Sequence, residues 1–357
     1  MNVKDRMIME EYHEQRDDFI RLGDIVHGML RDIASKSGIL VMGIEHRVKG
    51  EKSLEGKLYK NGDWYRKLDD LTDILGARVI CYFGDDVDKF GKLVEDSFVI
   101  DRENSTDKRA LIKADSFGYL SLHYICSLPG DKGYSAELCG KRFEIQIRTI
   151  LQHAWSAINH DLGYKSEFGV PRIVTREFAR LAGLMEIADD EFIRVRDRMK
   201  SYTEETRAKI INNEADDVLI DLVSINEYMQ RNRRMQELLD ELAKIEGAEI
   251  TYADPESYIV QLKWLKKNTI GDLQDMVEKN WNMVISLAKK TLGGMDFDIL
   301  ASNAALRLLC RAELLTGGYT EEQAAEFISL SVSKKERAER QAKHLFKMYN
   351  EIKEAGV

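Results

Sequence analysis

The chain has 357 residues, of which 32% are charged and 44% hydrophobic, and its formal net charge is −9. This length suits about two domains, and the acidic balance excludes a general attraction for nucleic acid or anionic membranes. No apolar run approaches the ~18 residues that a membrane span needs, and the four cysteines form no C-x-x-C pair, so we expect a cytoplasmic protein without a membrane contact, zinc site or disulfide framework.

A basic segment follows the first predicted element, an amphipathic helix over residues 9–36. Arg47 and Lys49 alternate about a valine, and Ser53 and Lys57 then enter a second helix after a glycine turn. Cations, a hydroxyl and a helix N-terminus so close together are suited to holding a chain of phosphates. An ordinary basic surface loop is the alternative interpretation.

The next strand, predicted over residues 77–83, is apolar except for Arg78. A lone arginine in a buried strand is costly unless it is paired or faces a ligand. Asp73, just before the strand, is the natural metal ligand or pairing partner. A simple Asp73–Arg78 ion pair at the strand entrance explains both residues equally well.

A surface helix, a short strand over 98–100 and a polar loop over 101–115 are predicted next. The loop leads to a strand over 120–125. Tyr119 follows a glycine at the mouth of this strand, where its ring face is placed to stack on a planar ligand such as a base. A tyrosine of the hydrophobic core is the alternative.

The stretch from Phe143 to Arg148 is the most informative of the chain. Apolar and polar residues alternate strictly, which predicts a strand with Glu144, Gln146 and Arg148 on one face. A carboxylate, an amide and a guanidinium in one row favour a polar site. The alternative is an edge strand with a solvated polar face.

A helix follows this strand directly. Thr149 and Gln152 form a predicted capping box at its start. His153 and His160, seven residues apart, fall on nearly one line of the helix. A strand, a sharp turn and a helix therefore bring both histidines toward the polar strand face.

Beyond about Lys200 the pattern is helical throughout, with no alternating strand and no catalytic cluster. Further helix starts are predicted at Asp254-Pro255, Thr269 with Asp272, Thr320 with Gln323, and Ser333 with Glu336. We predict two domains: residues 1–205 with the polar motifs, and an all-α domain of unknown role at residues 206–357.

The order and spacing of these motifs resemble the synthetase domain of the RelA/SpoT alarmone synthetases over about residues 10–200. The motifs that carry the resemblance are Arg47-Val48-Lys49 with Ser53, Asp73-x-x-Gly76-x-Arg78, Gly118-Tyr119-x-Ser121-Leu122-His123-Tyr124, and Glu144-Ile145-Gln146-Ile147-Arg148-Thr149 with His153 and His160. The resemblance implies an α+β fold, a mixed five-stranded nucleotidyltransferase-like sheet flanked by helices. It also implies an enzyme, a GTP/GDP diphosphokinase that uses Mg²⁺ to transfer pyrophosphate from ATP to the 3′-hydroxyl of GDP or GTP, giving ppGpp or pppGpp.

The same resemblance implies a role for each matching residue. Two of the ATP-binding residues, Arg47 and Arg78, sandwich the adenine. The others, Lys49, Ser53 and Lys57, bind the phosphates. The metal-binding and catalytic residues are Asp73 and Glu144, with Glu144 also placed to accept the 3′-hydroxyl proton. The acceptor-binding residues are Lys113, Tyr119, Gln146, Arg148, His153 and His160.

Two positions depart from the family's usual pattern, with Leu120 in place of an arginine and Asn159 in place of a glutamate. They leave open the same chemistry on another acceptor, either an adenosine nucleotide or the 3′ end of tRNA. A nucleotide-binding regulator without turnover is a further alternative. The stretch before Arg47 is too short for the hydrolase domain of long family members, so we expect a single activity, and small relatives suggest a homo-oligomer.

Overall fold

The computed structural model describes residues 3–61, 64–111, 121–130, 133–163, 171–293 and 298–355. The chain forms two compact units, Met1–Arg196 and Asp197–Val357, called here the N-terminal and the C-terminal unit. This division falls inside one long helix. A functional boundary at residue 205 stays a prediction.

The N-terminal unit is built on one five-stranded mixed sheet with the strand order β1-β2-β5-β4-β3. Its strands are β1 (Val41–Val48), β2 (Leu75–Cys81), β3 (Val99–Asp107), β4 (Leu122–Ser127) and β5 (Phe143–Thr149). Its helices are α1 (Val3–Ser37), α2 (Glu51–Asn61), α3 (Gly84–Ser97), α4 (Lys108–Leu111), α5 (Ala136–Cys139), α6 (Ile150–Gly163) and α7 (Arg172–Ile211), the last of which spans the division between the units. The α+β architecture predicted from the sequence is confirmed.

Strand β5 lies at the centre of the sheet, parallel to β2 and antiparallel to β4. The interpretation of this segment as an edge strand is therefore wrong. Its apolar side chains, Phe143, Ile145 and Ile147, are completely buried in the core of the N-terminal unit. Because side chains alternate along a strand, its polar residues all lie on the opposite face.

Strand β3 is longer than expected, since it continues to Asp107 through what was predicted to be a polar loop. It is an edge strand, and its pairing with β4 is irregular between Asp101 and Thr106. An edge strand does not need an apolar face along its whole length, which explains why the hydrophobic pattern ends before the strand does.

The C-terminal unit is mainly helical, as predicted. Its helices after α7 are α8 (Leu222–Arg231), α9 (Arg233–Glu246), α10 (Glu256–Trp264), α11 (Ile270–Thr291), α12 (Ala304–Thr316), α13 (Glu321–Ser329) and α14 (Lys335–Glu354). Two short strands, β6 (Glu249–Thr251) and β7 (Ile299–Ala301), pair in parallel. The sequence analysis missed them because three residues are too few to show a period of two.

Helix starts in this unit follow the local sequence in most cases. The capping boxes of Thr269 with Asp272 and of Thr320 with Gln323 are confirmed. Ser333 was wrong as a cap, since α14 begins at Lys335 and Lys334 occupies the capping position without a side-chain hydrogen bond. Within the described ranges, none of the helices combines the length and apolar composition needed to cross a membrane.

Candidate active site

Polar side chains of four strands form a row across the open face of the sheet. The pairing register places Glu45 of β1 opposite Arg78 of β2, Arg78 beside Gln146 of β5, and Gln146 opposite His123 of β4. Paired residues point to the same face of a sheet. The four side chains therefore line one band, although they are far apart in sequence.

A second row runs beside the first and contains Arg47, Gly76 and Glu144. A Cβ atom built on Gly76 meets no atom within 4 Å. Packing therefore does not require glycine at this position. The absence of a side chain at Gly76 leaves open space between Arg47 and Glu144.

Both rows border a cavity of about 320 Å³, within the size range of small-molecule sites. Its lining includes seven of the residues predicted from the sequence: Arg47, Lys49, Ser53, Asp73, Arg78, Glu144 and Gln146. Glu45, His46, Val48, Gly50, Gly76 and Ala77 complete it. The structure thus brings the three separate sequence motifs of β1–α2, β2 and β5 to one place.

The connection from β1 to α2 is held at Lys49. Its backbone N–H donates to the carbonyl of Ile74 at 2.7 Å, and the hydroxyl of Tyr12 donates to its carbonyl at 2.6 Å. Helix α2 starts two residues later, so Ser53 lies in its first turn beside the cavity. The N-terminus of a helix attracts anions, and here the connection that leads to it is fixed on both sides.

Asp73 accepts hydrogen bonds from two lysines at the edge of the cavity. Nζ of Lys49 donates to its Oδ2 at 2.7 Å, and Nζ of Lys57 donates to its Oδ1 at 2.8 Å. Burial raises the pKa of Asp73, but the two ammonium groups outweigh this effect and the net shift is downward. The carboxylate is therefore ionised at neutral pH, and two cations lie beside it.

Glu144 accepts hydrogen bonds at both of its carboxylate oxygens. His123 Nδ1 lies 2.6 Å from Oε1, and the side-chain amide of Gln146 donates to Oε2 at 2.9 Å. Burial raises the pKa of Glu144, whereas His123 and Gln146 lower it, and the net shift is again downward. Arg148 donates in turn to the amide oxygen of Gln146 at 2.8 Å.

Arg78 donates to Glu45 of the neighbouring strand at 3.2 Å. The predicted alternative of an Asp73–Arg78 ion pair is therefore wrong, because the two lysines occupy Asp73. His153 of α6 lies close enough to Arg148 and Arg78 for the charges of both guanidinium groups to affect its pKa. Burial and these two guanidinium groups lower the pKa of the imidazole, so it is neutral at pH 7.

Other predicted residues are not brought to this cavity. His160 is exposed on α6, and a separation of seven residues places it about 10 Å further along the helix than His153. Lys113 and Tyr119, predicted to bind the acceptor, lie outside the described residues, as does Leu120. Arg148 is only 2% exposed and reaches the site through Gln146.

Sequence reasoning missed two members of this site, Glu45 and His123. Glu45 lies two residues before Arg47 on β1. Extending the alternation of Arg47 and Lys49 by one more step toward the N-terminus therefore indicates it. His123 belongs to the motif of residues 118–124 that carries the resemblance, but that motif does not show that His123 meets Glu144, because only the strand order places β4 beside β5.

Among the residues that the structure describes, no group of three or more His, Cys, Asp or Glu side chains is arranged to hold a metal ion. Asp73 and Glu144 do share the cavity, and Asp73 is near enough to influence the ionisation of Glu144. Mg²⁺ commonly takes one or two protein carboxylates and completes its shell with phosphate oxygens and water. The donor set fits such an ion with a nucleotide present.

Comparison with known proteins identifies this part of the chain. Residues 46–168 match the family model described as the region found in RelA / SpoT proteins. The chain is 28% identical over 166 residues to the GTP pyrophosphokinase YwaC of Bacillus subtilis, covering 43% of this chain and 74% of that protein. It is 26% identical over 158 residues to YjbM, a second GTP pyrophosphokinase of the same organism, covering 42% of this chain and 69% of that protein.

A solved structure of a GTP pyrophosphokinase family protein from Streptococcus pneumoniae is 26% identical, with a TM-score of 0.46, and the match covers 57% of this chain and 97% of that one. The range of the family model contains every residue that lines the cavity except Glu45. Residues 46–168 are therefore similar to the RelA/SpoT region, and the chain is similar over part of its length to two GTP pyrophosphokinases.

Proposed function

We propose that the protein transfers pyrophosphate from ATP to the 3′-hydroxyl of GDP or GTP, giving ppGpp or pppGpp. One observation carries the proposal: a carboxylate held by two lysines and a carboxylate held by a histidine and an amide open onto the same cavity. The first arrangement suits a phosphate chain with its metal, and the second suits a base for a hydroxyl. The names of the two curated relatives, both GTP pyrophosphokinases, support the same reaction.

The donor side of the cavity is formed by β1, β2 and α2. Lys49, Lys57 and Ser53 are assigned to the ATP phosphates. Lys49 and Ser53 line the cavity, and Lys57 adjoins it through its ion pair with Asp73. In exchange for Asp73, the two ammonium groups gain phosphate oxygens, which also accept charge-assisted hydrogen bonds. Arg47 and Arg78, on adjacent strands and in adjacent rows, are assigned to the adenine.

Asp73 and Glu144 would hold the magnesium ion. When bound, Mg²⁺ neutralises charge that develops on the transferred phosphates. The exchange of lysine contacts described above frees Asp73 for this role, because both of its oxygens are otherwise occupied by ammonium groups.

Glu144 is assigned to the proton of the acceptor. The 3′-oxygen of the acceptor forms a bond to the β-phosphorus of ATP, the bond from that phosphorus to the α–β bridging oxygen breaks, and AMP leaves. The hydroxyl proton passes to the Glu144 carboxylate, which is ionised at neutral pH because its pKa is lowered. A carboxylate held within hydrogen-bonding reach of the hydroxyl contributes typically 10²- to 10⁴-fold in rate.

On the acceptor side, Tyr119 and Lys113 are assigned to the base and the phosphates of GDP or GTP, as the family resemblance implies. His153 is neutral and lies beside Arg148 and Arg78, so it is suited to a hydrogen bond with the acceptor rather than to charge neutralisation. His160 keeps its predicted acceptor role only if the acceptor extends along α6. Gln146 and Arg148, in contrast, contact Glu144 or each other and are better described as residues that support it.

The test uses ATP labelled at the γ-phosphate, with Mg²⁺ and, in separate reactions, GDP, GTP, unlabelled ATP or tRNA. We expect label on GDP and GTP only, and loss of labelling with Glu144→Gln. Label on tRNA or on the adenosine nucleotide instead would leave the donor site standing and replace the acceptor. If no acceptor is labelled while ATP still binds, the protein is a nucleotide-binding regulator and the proposal is wrong.

A further inference from the structure

The two donors to Glu144 come from different strands. Gln146 lies on β5, two residues from Glu144 on the same face, and His123 lies directly opposite Gln146 on β4. Each donor takes a different oxygen, His123 at Oε1 and Gln146 at Oε2. A carboxylate fixed at both oxygens cannot rotate about its terminal bond without losing one of the two contacts.

The contact with His123 has a defined direction. A carboxylate can only accept hydrogen bonds, so Nδ1 of His123 carries the proton and donates it. Residue His123 is 8% exposed, and the partner carboxylate side chain is 18% exposed. A short hydrogen bond to an ionised group that is largely shielded from water is among the stronger hydrogen bonds in proteins.

The amide of Gln146 is oriented as well. Because Arg148 donates to its oxygen at 2.8 Å, its nitrogen is directed toward Glu144. Arg148 is buried in β5 at a position that is paired with β2. One face of the central strand thus supports the carboxylate from one side, and β4 supports it from the other.

We propose that His123 is a positioning residue for the transfer reaction, which clamps Glu144 from β4 while Gln146, backed by Arg148, clamps it from β5. The clamp directs the remaining lone pairs of Glu144 into the cavity. This inference rests on the proposed function for its catalytic meaning, while the hydrogen bond itself can be observed independently. His123 acts through Glu144 and contacts no part of ATP in this assignment.

Three substitutions separate the hydrogen bond from the bulk of the ring. Asn places an amide nitrogen where Nδ1 stands, Gln places one where Nε2 stands, and Phe fills the volume with no donor. We expect His123→Phe and His123→Gln to lower kcat about 10- to 100-fold, with the KM for ATP changed less than about threefold, because the ATP contacts lie on other elements. His123→Asn is expected to recover kcat to within roughly fivefold of wild type, the worth of a modest loss in hydrogen-bond geometry.

The same variants are compared by thermal unfolding, and rates are taken only from those that remain folded at the assay temperature. If His123→Asn and His123→Phe have equal kcat, the clamp is not what matters and the inference is overturned. If all His123 variants keep wild-type rates while Glu144→Gln is inactive, the proposed function stands and this inference alone fails.

A second measurement does not depend on activity. The ¹⁵N NMR spectrum of the imidazoles, assigned by difference with His123→Asn, reports which ring nitrogen of His123 carries the proton. We expect the Nδ1–H form in the wild type and a change in its resonance with Glu144→Gln. The inference is overturned if His123 carries its proton on Nε2 and its ¹⁵N resonances do not change with Glu144→Gln. This outcome counts against the inference even if the wild type transfers no pyrophosphate and the proposed function has failed.

Discussion

Each unit of the molecule contains a glutamate with several hydrogen-bond donors, and the two sites differ in what lies in front of the carboxylate. In the N-terminal unit, Glu144 is held by His123 and Gln146 and borders a cavity. In the C-terminal unit, Glu313 of α12 is 5% exposed.

The donors around Glu313 are two lysines and an amide. Asn280 donates to it at 2.7 Å, and Lys279 and Lys267 form ion pairs with it at 3.2 and 3.4 Å. Burial raises the pKa of Glu313, and these partners lower it further than burial raises it, as with Glu144.

A lowered pKa therefore does not distinguish a site from a structural ion pair. The two sites are distinguished by the cavity in front of Glu144 and by the balance of charge around each carboxylate. Glu313 is neutralised by cations that pack around it, whereas the donors to Glu144 are a histidine and an amide. Lys49, which lines the same cavity, and Lys57 are held by a second carboxylate, Asp73. The arrangement around Glu144 is open to a substrate, and the arrangement around Glu313 is closed.

The largest effect is expected from Asp73→Asn, which removes a ligand of the proposed metal and the partner of two lysines. We expect kcat/KM for transfer to fall about 10³-fold, with the fold retained. The control is Asp69→Asn, a nearby aspartate that is exposed and pairs with Lys67 at 3.1 Å. Equal rates for the two variants would remove Asp73 from the site.

Gly76→Leu tests whether the cavity itself is the ATP site. A Cβ atom built here meets no atom within 4 Å, so the fold should persist while the leucine side chain fills part of the cavity. We expect ATP binding, measured by calorimetry, to weaken about 10- to 100-fold, equivalent to roughly 1–3 kcal/mol of overpacking.

Gly43→Leu is the matched control, since Gly43 lies on β1, also has open space at its Cβ, and does not line this cavity. If both leucine variants bind ATP as well as the wild type, the nucleotide binds elsewhere.

Glu313→Gln should destabilise the closed site by about 1–3 kcal/mol, a range that already allows for lysines that are partly exposed. The loss is measured as the urea concentration at which the amides of α11 and α12 lose protection from hydrogen exchange. Because the folded-state pKa of Glu313 is lowered from 4.5, its contribution exists above that pH and is lost as the pH falls further.

The matched change at the open site, Glu144→Gln, should destabilise the protein less than Glu313→Gln, because the Glu144 side chain is 18% exposed and the Glu313 side chain is 7% exposed. Equal destabilisation by the two changes would break the distinction between an open and a closed carboxylate.

The smallest effect concerns a third carboxyl. Asp189 of α7 accepts a hydrogen bond from Thr149 at 2.8 Å, and burial raises the pKa of Asp189 to about 6. A raised pKa means that the folded state binds the proton more tightly, so stability should increase as the pH falls from 7 to 5. Asp189→Asn should be more stable than wild type at pH 7, by at most about 3 kcal/mol, and should keep only about half of that advantage at pH 5, because the unfolded carboxyl is still ionised there. Urea midpoints at the two pH values check this, and a constant difference would contradict it.

Local patterns predicted much of the fold and part of the site. The alternation from Phe143 to Arg148 correctly indicated a strand with one polar face, and Thr149 with Gln152 correctly marked the start of α6. Such features depend on neighbours in sequence, which a single chain shows directly.

The pairing of side chains could not be predicted in the same way. Glu45 and Arg78 are 33 residues apart, and His123 and Glu144 are 21 apart. Whether they meet depends on which strands are neighbours and in which register, and many arrangements satisfy the same hydrophobic pattern. Asp73 was therefore recognised as a site residue while its actual partners were not.

The central claim is that Glu144 serves transfer from the open cavity. A single-turnover reaction, with enzyme in excess over γ-labelled ATP and with saturating GDP and Mg²⁺, measures this step without product release. We predict that Glu144→Gln lowers the rate constant 10²- to 10⁴-fold while ATP affinity changes only a few-fold, and that Glu313→Gln keeps the wild-type rate at a temperature where it is folded. A Glu144→Gln rate constant equal to that of the wild type would contradict the account.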